Sequence, residues 1–195
     1  GKGIPKHNVE QDVVLNPTTV YGISKMAGEK WCEYYFDKYG VDVRSIRYPG
    51  LISWKAPAGG GTTDYAVEIF YEAVQNGKYK SFIAENTAMP MLYMDDAISA
   101  TIKLMEADKD ALTVRSSYNL GGMSFTPAEL AAEIKKEMSD FEISYEPDFR
   151  QAIADSWPAS IEDGRAKEDW GLSYDFDITS MTREMLANLK LKLNK

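Results

Sequence analysis

The sequence predicts an α/β protein. Strand and helix patterns alternate along it as they do in parallel-sheet proteins, and one long helix carries start and stop residues at its two ends. Its 195 residues, 44% hydrophobic and 12% aromatic, are enough to bury the core of one domain or a little more.

Each element has a local reason. Residues 1–15 are polar, contain Pro5 and read as a loop. Pro17 with Thr18 or Thr19 starts a helix over about 19–39, where Val20, Ile23, Met26, Ala27, Trp31, Tyr34 and Tyr35 form an apolar face until Gly40 stops it. Residues 41–48 alternate as a strand, which Pro49-Gly50 is expected to end, since proline lacks a donor and glycine a side chain. A glycine-rich loop from Pro57 leads into a helix over roughly 64–76 that stops at Gly77. Short strands are expected at 79–84 and 91–94, then a helix carrying Ile98, Ile102, Leu104 and Met105. Asp95 or Asp96 is expected to cap that helix; neighbouring carboxylates at a helix start point in different directions, which disfavours an acid/base pair. Residues 117–120 read as a strand with a Gly121-Gly122 turn, and Thr126 with Pro127 starts a helix to Met138. A strand at 141–145, a short helix ending at Gly171 and a terminal helix from about 178 to 193 complete the chain.

Composition excludes several classes. A net charge of −8 and a pI near 4.8 argue against a nucleic-acid surface. One cysteine, Cys32, allows no internal disulfide, and with a single histidine, His7, no metal-ligand cluster is expected. No apolar run reaches the length of a membrane span and residues 1–15 do not resemble a signal peptide, so a reducing, cytoplasmic setting is expected.

Tyr21 and Lys25 are the residues that point to chemistry. Four apart on a helix, they share a face. A lysine ammonium favours the phenolate and lowers a phenol pKa that starts near ~10, so the pair can accept an alcohol proton near neutral pH. The spacing alone is weak evidence, because Tyr34 and Lys38 repeat it deeper in the same helix without the threonine-rich start. The loop at Gly59-Gly60-Gly61 is not a dinucleotide fingerprint, since Asp64 stands where a third glycine would be needed. It reads either as a capped loop or as a helix start whose free N–H groups, with Thr62 or Thr63, hold a small carboxylate.

The stretches 17–25, Arg47 to Ile52, Gly59 to Tyr65, Trp157-Pro158 and Asp169-Trp170-Gly171 together resemble the extended short-chain dehydrogenase/reductases, and most closely the L-threonine 3-dehydrogenases of UDP-galactose-epimerase type. The resemblance implies a Rossmann-like fold with a small α+β substrate domain. It implies oxidation of the threonine 3-hydroxyl with NAD to 2-amino-3-ketobutyrate, Tyr21 being the base and Lys25 holding the nicotinamide ribose. Tyr48, Pro49, Gly50 and Leu51 would border the cofactor, with a side chain at Gly50 clashing with the nicotinamide. Tyr21, Thr62, Thr63 and Asp64 would meet the substrate. Residues 1–53 and 93–121 would belong to the Rossmann part, 54–92 and 122–195 to the substrate part. A homodimer would form through the helix carrying Tyr21 and the helix after it. Family members have a glycine-rich strand–turn–helix unit and a catalytic Ser or Thr upstream of the tyrosine; neither precedes Tyr21 here. The chain is therefore read as the C-terminal portion of a longer enzyme, inactive alone.

Two other functions compete. A nucleotide-sugar epimerase or dehydratase would share Tyr21 and Lys25, but such enzymes usually place an Asn soon after the tyrosine at the strand end, where this chain has Pro49 and Gly50. Six arginines are also few for gripping a diphosphate. A non-catalytic dimerisation module is the reading of a different class, favoured by the aromatics on the first helix.

Overall fold

The structure is a computed structural model that describes residues 5–195; of the N-terminal loop expected over 1–15, residues 1–4 lie outside it. The first helix, α1, spans Val20–Tyr39. The Thr19 side chain accepts from the Gly22 N–H and Gly40 closes the helix in the left-handed region, as the start and stop residues require. None of its residues is buried.

Of the strand expected over residues 41–48 only Ile46–Arg47 forms, and Pro49-Gly50 does not end strand structure there. β1 (Ile46–Arg47) pairs in parallel with β5 (Tyr118–Asn119). After Pro49 the chain resumes as β2 (Gly50–Ile52), in parallel with β4 (Met89–Tyr93). Proline therefore marks a change of partner rather than a strand end, at a point where its missing N–H interrupts the ladder. β6 (Met123–Phe125), not anticipated, runs antiparallel on the other side of β4, and β3 (Lys78–Ser81) pairs in parallel with β7 (Glu142–Tyr145).

All five residues of β4 are buried, because the strand separates two cores. Met89, Met91 and Tyr93 face a cluster built from α2 (Tyr65–Asn76), α4 (Pro127–Glu137) and α7 (Ile178–Leu193). Leu92, on the alternate face, packs with α3 (Met94–Glu106), β5 and α6 (Gly164–Trp170). A further short helix, α5 (Arg150–Ala154), was not anticipated.

Asp95 and Asp96 lie in the first turn of α3, but neither side chain caps it. The buried Asp96 carboxylate instead accepts from the Asp175 and Phe176 N–H groups, at 2.9 and 3.2 Å, and pins that loop beside Tyr93. Burial raises the carboxyl above its ordinary value, against the pull of those two bonds.

The segment before α1 is tied to residues far along the chain. The Lys6 ammonium donates to the Asp155 and Trp157 carbonyls, Asn8 N–H donates to the Ser160 hydroxyl at 2.8 Å, and Val9 bridges to Ile161. Gln11 is buried, donating to the Ser117 carbonyl and accepting from the Asn119 N–H.

Candidate active site

Tyr21, Lys25 and Tyr48 line one open cleft of about 600 Å³, whose α1 wall is Tyr21, Ser24, Lys25, Gly28, Glu29 and Cys32. Spacings of three and four put these on a single helical face. Ser45, Arg47 and Ser117 form the opposite wall. The Tyr21 side chain is 72% exposed, and the Lys25 ammonium lies 5.3 Å from the centre of its ring. Phenol and ammonium are thus adjacent at an accessible surface, while burial, followed by the charge of Glu29, pushes the Cys32 thiol up. The Tyr48 hydroxyl is bonded to Thr101 of α3. The Thr101 oxygen accepts that bond, because its own proton goes to the Ala97 carbonyl at 2.7 Å.

Beside Tyr48, the main chain of Pro49, Gly50 and Leu51 leads from the cleft into β2. At Gly50 the surrounding protein also leaves no room for a side chain. A Cβ on Gly50 would stand 2.5 Å from Met91 Sδ and 2.7 Å from Thr63 Cγ2. The space a side chain would need is filled by protein, so glycine at this position lets Thr63 dock on β2. Thr62 is buried and opens a 3-10 turn, Thr62–Asp64, that runs into α2. The Asp64 carboxylate accepts from the Gly59 and Gly61 N–H groups at 2.7 and 2.9 Å. Those two amides are therefore engaged internally.

Glu29, Arg47, Gln11 and Asn119 were missed from sequence. Arg47 forms a two-pronged pair with Glu29, at 2.8 and 2.6 Å, and donates at 3.1 Å to both the Gln11 carbonyl and the Asn119 side-chain oxygen. This cluster, with the Arg115 guanidinium 4.1 Å from the Phe36 ring, fastens α1 to the β1–β5 pair. The available signal was an arginine inside a strand, which needs an acid within reach, and a glutamate one turn beyond Lys25.

A second stripe of α1, bearing Val20, Ile23, Trp31 and Tyr34, is exposed. The helix after it does not share this property: α2 buries its apolar face against α4 and α7. Among the described residues no group of three or more His, Cys, Asp or Glu is placed to hold a metal, and no helix is long and apolar enough to cross a membrane. His7 is exposed in the early loop.

Parallel strands alternating with helices, and a tyrosine and lysine one turn apart on a cleft-facing helix, agree with the resemblance to the extended short-chain dehydrogenase/reductase class of Rossmann-like proteins. The model of the NAD dependent epimerase/dehydratase family matches residues 1–121, and the chain belongs to that family. It is 52% identical over 193 residues to an uncharacterized epimerase/dehydratase of Staphylococcus haemolyticus, covering 98% of this chain and 61% of that protein. It superposes with a TM-score of 0.94 on a GalE-like L-threonine dehydrogenase from Cupriavidus necator, 57% identical, covering 96% of this chain and 68% of that one. A monomeric L-threonine 3-dehydrogenase from a metagenome gives a TM-score of 0.95 at 54% identity, covering 100% and 63%. The chain thus spans about three fifths of the curated relative.

Proposed function

We propose that the intact protein oxidises the 3-hydroxyl of L-threonine with NAD, giving 2-amino-3-ketobutyrate. The observation that carries this reading is the adjacency of the Tyr21 phenol and the Lys25 ammonium on an accessible cleft, in a chain similar to proteins named L-threonine dehydrogenases. A phenol and an ammonium side by side are a donor set that suits a nicotinamide ribose, so the residues present fit the cofactor. Lys25 and Tyr21 would hold it, with Tyr48, Pro49, Gly50 and Leu51 along its border. When bound, NAD supplies the hydride acceptor. Tyr21, as phenolate, takes the proton from the substrate hydroxyl, and Lys25 stabilises that phenolate charge. Thr62 and Thr63 shape the substrate side, and Asp64 acts there through the loop amides it binds.

We assign residues 1–53 and 93–121 to the cofactor-binding part, 54–92 and 122–195 to the substrate part, and the working compartment to the cytoplasm. The exposed Val20–Trp31–Tyr34 stripe would pair α1 with its copy in a homodimer, although one similar protein is described as monomeric. Sedimentation of the intact protein as a monomer would remove that assignment.

The family's description favours a second reading, a nucleotide-sugar epimerase or dehydratase. Offering the intact protein L-threonine and UDP-glucose separately with NAD decides between them. NADH formation with threonine is expected; turnover with the sugar nucleotide alone would reverse the choice.

A further inference from the structure

Lys25 and Glu29 are four residues apart, the spacing at which a lysine and a glutamate on one helix reach each other. They do not pair. Both oxygens of Glu29 are held by Arg47, and the Lys25 ammonium lies over the Tyr21 ring instead. Glu29 is the one carboxylate lining this cleft; the other titratable or charged groups on it are Tyr21, Lys25 and Cys32 of α1, Arg47 of β1 and Tyr48. Beyond the pair, Asp12 is engaged by Arg165, and Glu33 by Lys30.

We infer that Arg47 is a positioning residue whose task is to withhold the Glu29 carboxylate from Lys25, leaving the ammonium to the Tyr21 phenol. The geometry favours Arg47 over Lys25 as the partner of Glu29. A guanidinium offers two parallel donors in a fixed fork, which a lysine cannot match. Arg47 is also anchored by the Gln11 and Asn119 oxygens, which fix its guanidinium on the strand side of the cleft. Without it, an unclamped carboxylate one turn away would compete with the phenol for the only ammonium on that wall. For catalysis the inference rests on the Tyr21–Lys25 chemistry proposed above; for geometry it does not.

The test separates the two. In the intact protein without cofactor, the ε-CH₂ resonance of Lys25, assigned through Lys25→Arg, should carry the upfield displacement of a proton over an aromatic ring. Arg47→Gln, which keeps a donor for Gln11 and Asn119 but removes the charge, should abolish that displacement, and adding Glu29→Gln should restore it. Gly28→Glu is the second variant: a Cβ there meets nothing within 4 Å, and the new carboxylate, unclamped and three residues from Lys25, should abolish the displacement while Gly28→Gln preserves it. In the active enzyme, Arg47→Gln should lower kcat, and the Glu29→Gln addition should bring it back. A Lys25 resonance unchanged by both Arg47→Gln and Gly28→Glu overturns the inference, as does a displacement lost in Arg47→Gln that Glu29→Gln fails to restore. If the resonances respond while threonine is not oxidised, the electrostatic arrangement stands and the proposed reaction fails.

Discussion

Replacing Gly50 by alanine tests whether the turn beside the cleft is packed by protein. The new Cβ would lie 2.5 Å from Met91 Sδ, 2.7 Å from Thr63 Cγ2 and 2.8 Å from Thr63 Cβ. Met91 is fully buried between β2 and β6, and Thr63 is β-branched and stiff at χ1, so neither has much room to yield. Overpacking of this kind costs about 1–3 kcal/mol. For a chain of this size that lowers the melting temperature by about 2–4 °C per kcal/mol. Thr63→Gly removes two of the three clashing atoms, so the double variant should recover much of the loss, with a coupling of about 1 kcal/mol. Urea denaturation of the four proteins of the cycle measures this. Gly50→Ala within about 0.5 kcal/mol of the parent, or two losses that simply add, would refute the docking of Thr63 on β2.

The remaining predictions concern charge and proton transfer. Tyr21→Phe in the intact protein should lower kcat by about 10²–10⁴-fold, the usual contribution of an acid–base group, with thermal stability unchanged because the side chain is mostly exposed. Unaltered turnover would remove Tyr21 from the reaction. Asp169 is pushed up by burial, but bonds from Thr113 and Tyr118 outweigh this and hold its carboxyl below the usual value. A lowered folded-state value means stability that is present above the ordinary carboxylate range and lost on acidification through the folded-state value. Asp169→Asn should therefore cost about 1–2 kcal/mol at neutral pH, and the difference from the parent should shrink as pH falls below about 4. A difference that stays constant with pH would show that the carboxylate charge is not what the loop uses.

The elements whose ends are set by local chemistry were legible in the sequence. Thr19 and Gly40, Gly77, the Thr126–Glu129 capping box and the α7 boundaries all fell where short-range signals put them. Long-range pairing was not legible. Nothing near Pro49 announces that Arg47 faces Asn119 while Gly50 faces Met91, since partner choice depends on strands forty to seventy residues away. Asp96 failed for the same reason: a first-turn aspartate reads as a cap until a distant loop supplies N–H groups for it. Within the candidate site, spacing along one helix put Tyr21 and Lys25 on a common face, whereas Arg47 and Gln11 acquire their contacts from other segments.

The ties between residues 6–11 and the region around 155–162 constrain the order of assembly. As the chain leaves the ribosome, α1 is made before the carbonyls that Lys6 seeks, which lie 149 and 151 residues beyond that lysine. Closing so large a loop costs entropy before any contact compensates for it. The segment that leads into the Tyr21 helix can therefore dock through residues 6–9 only after residues 155–161 have been made. A ribosome stalled before residue 155 would hold α1 with Arg47 and Asn119 already made while the partners of Lys6 are still unsynthesised.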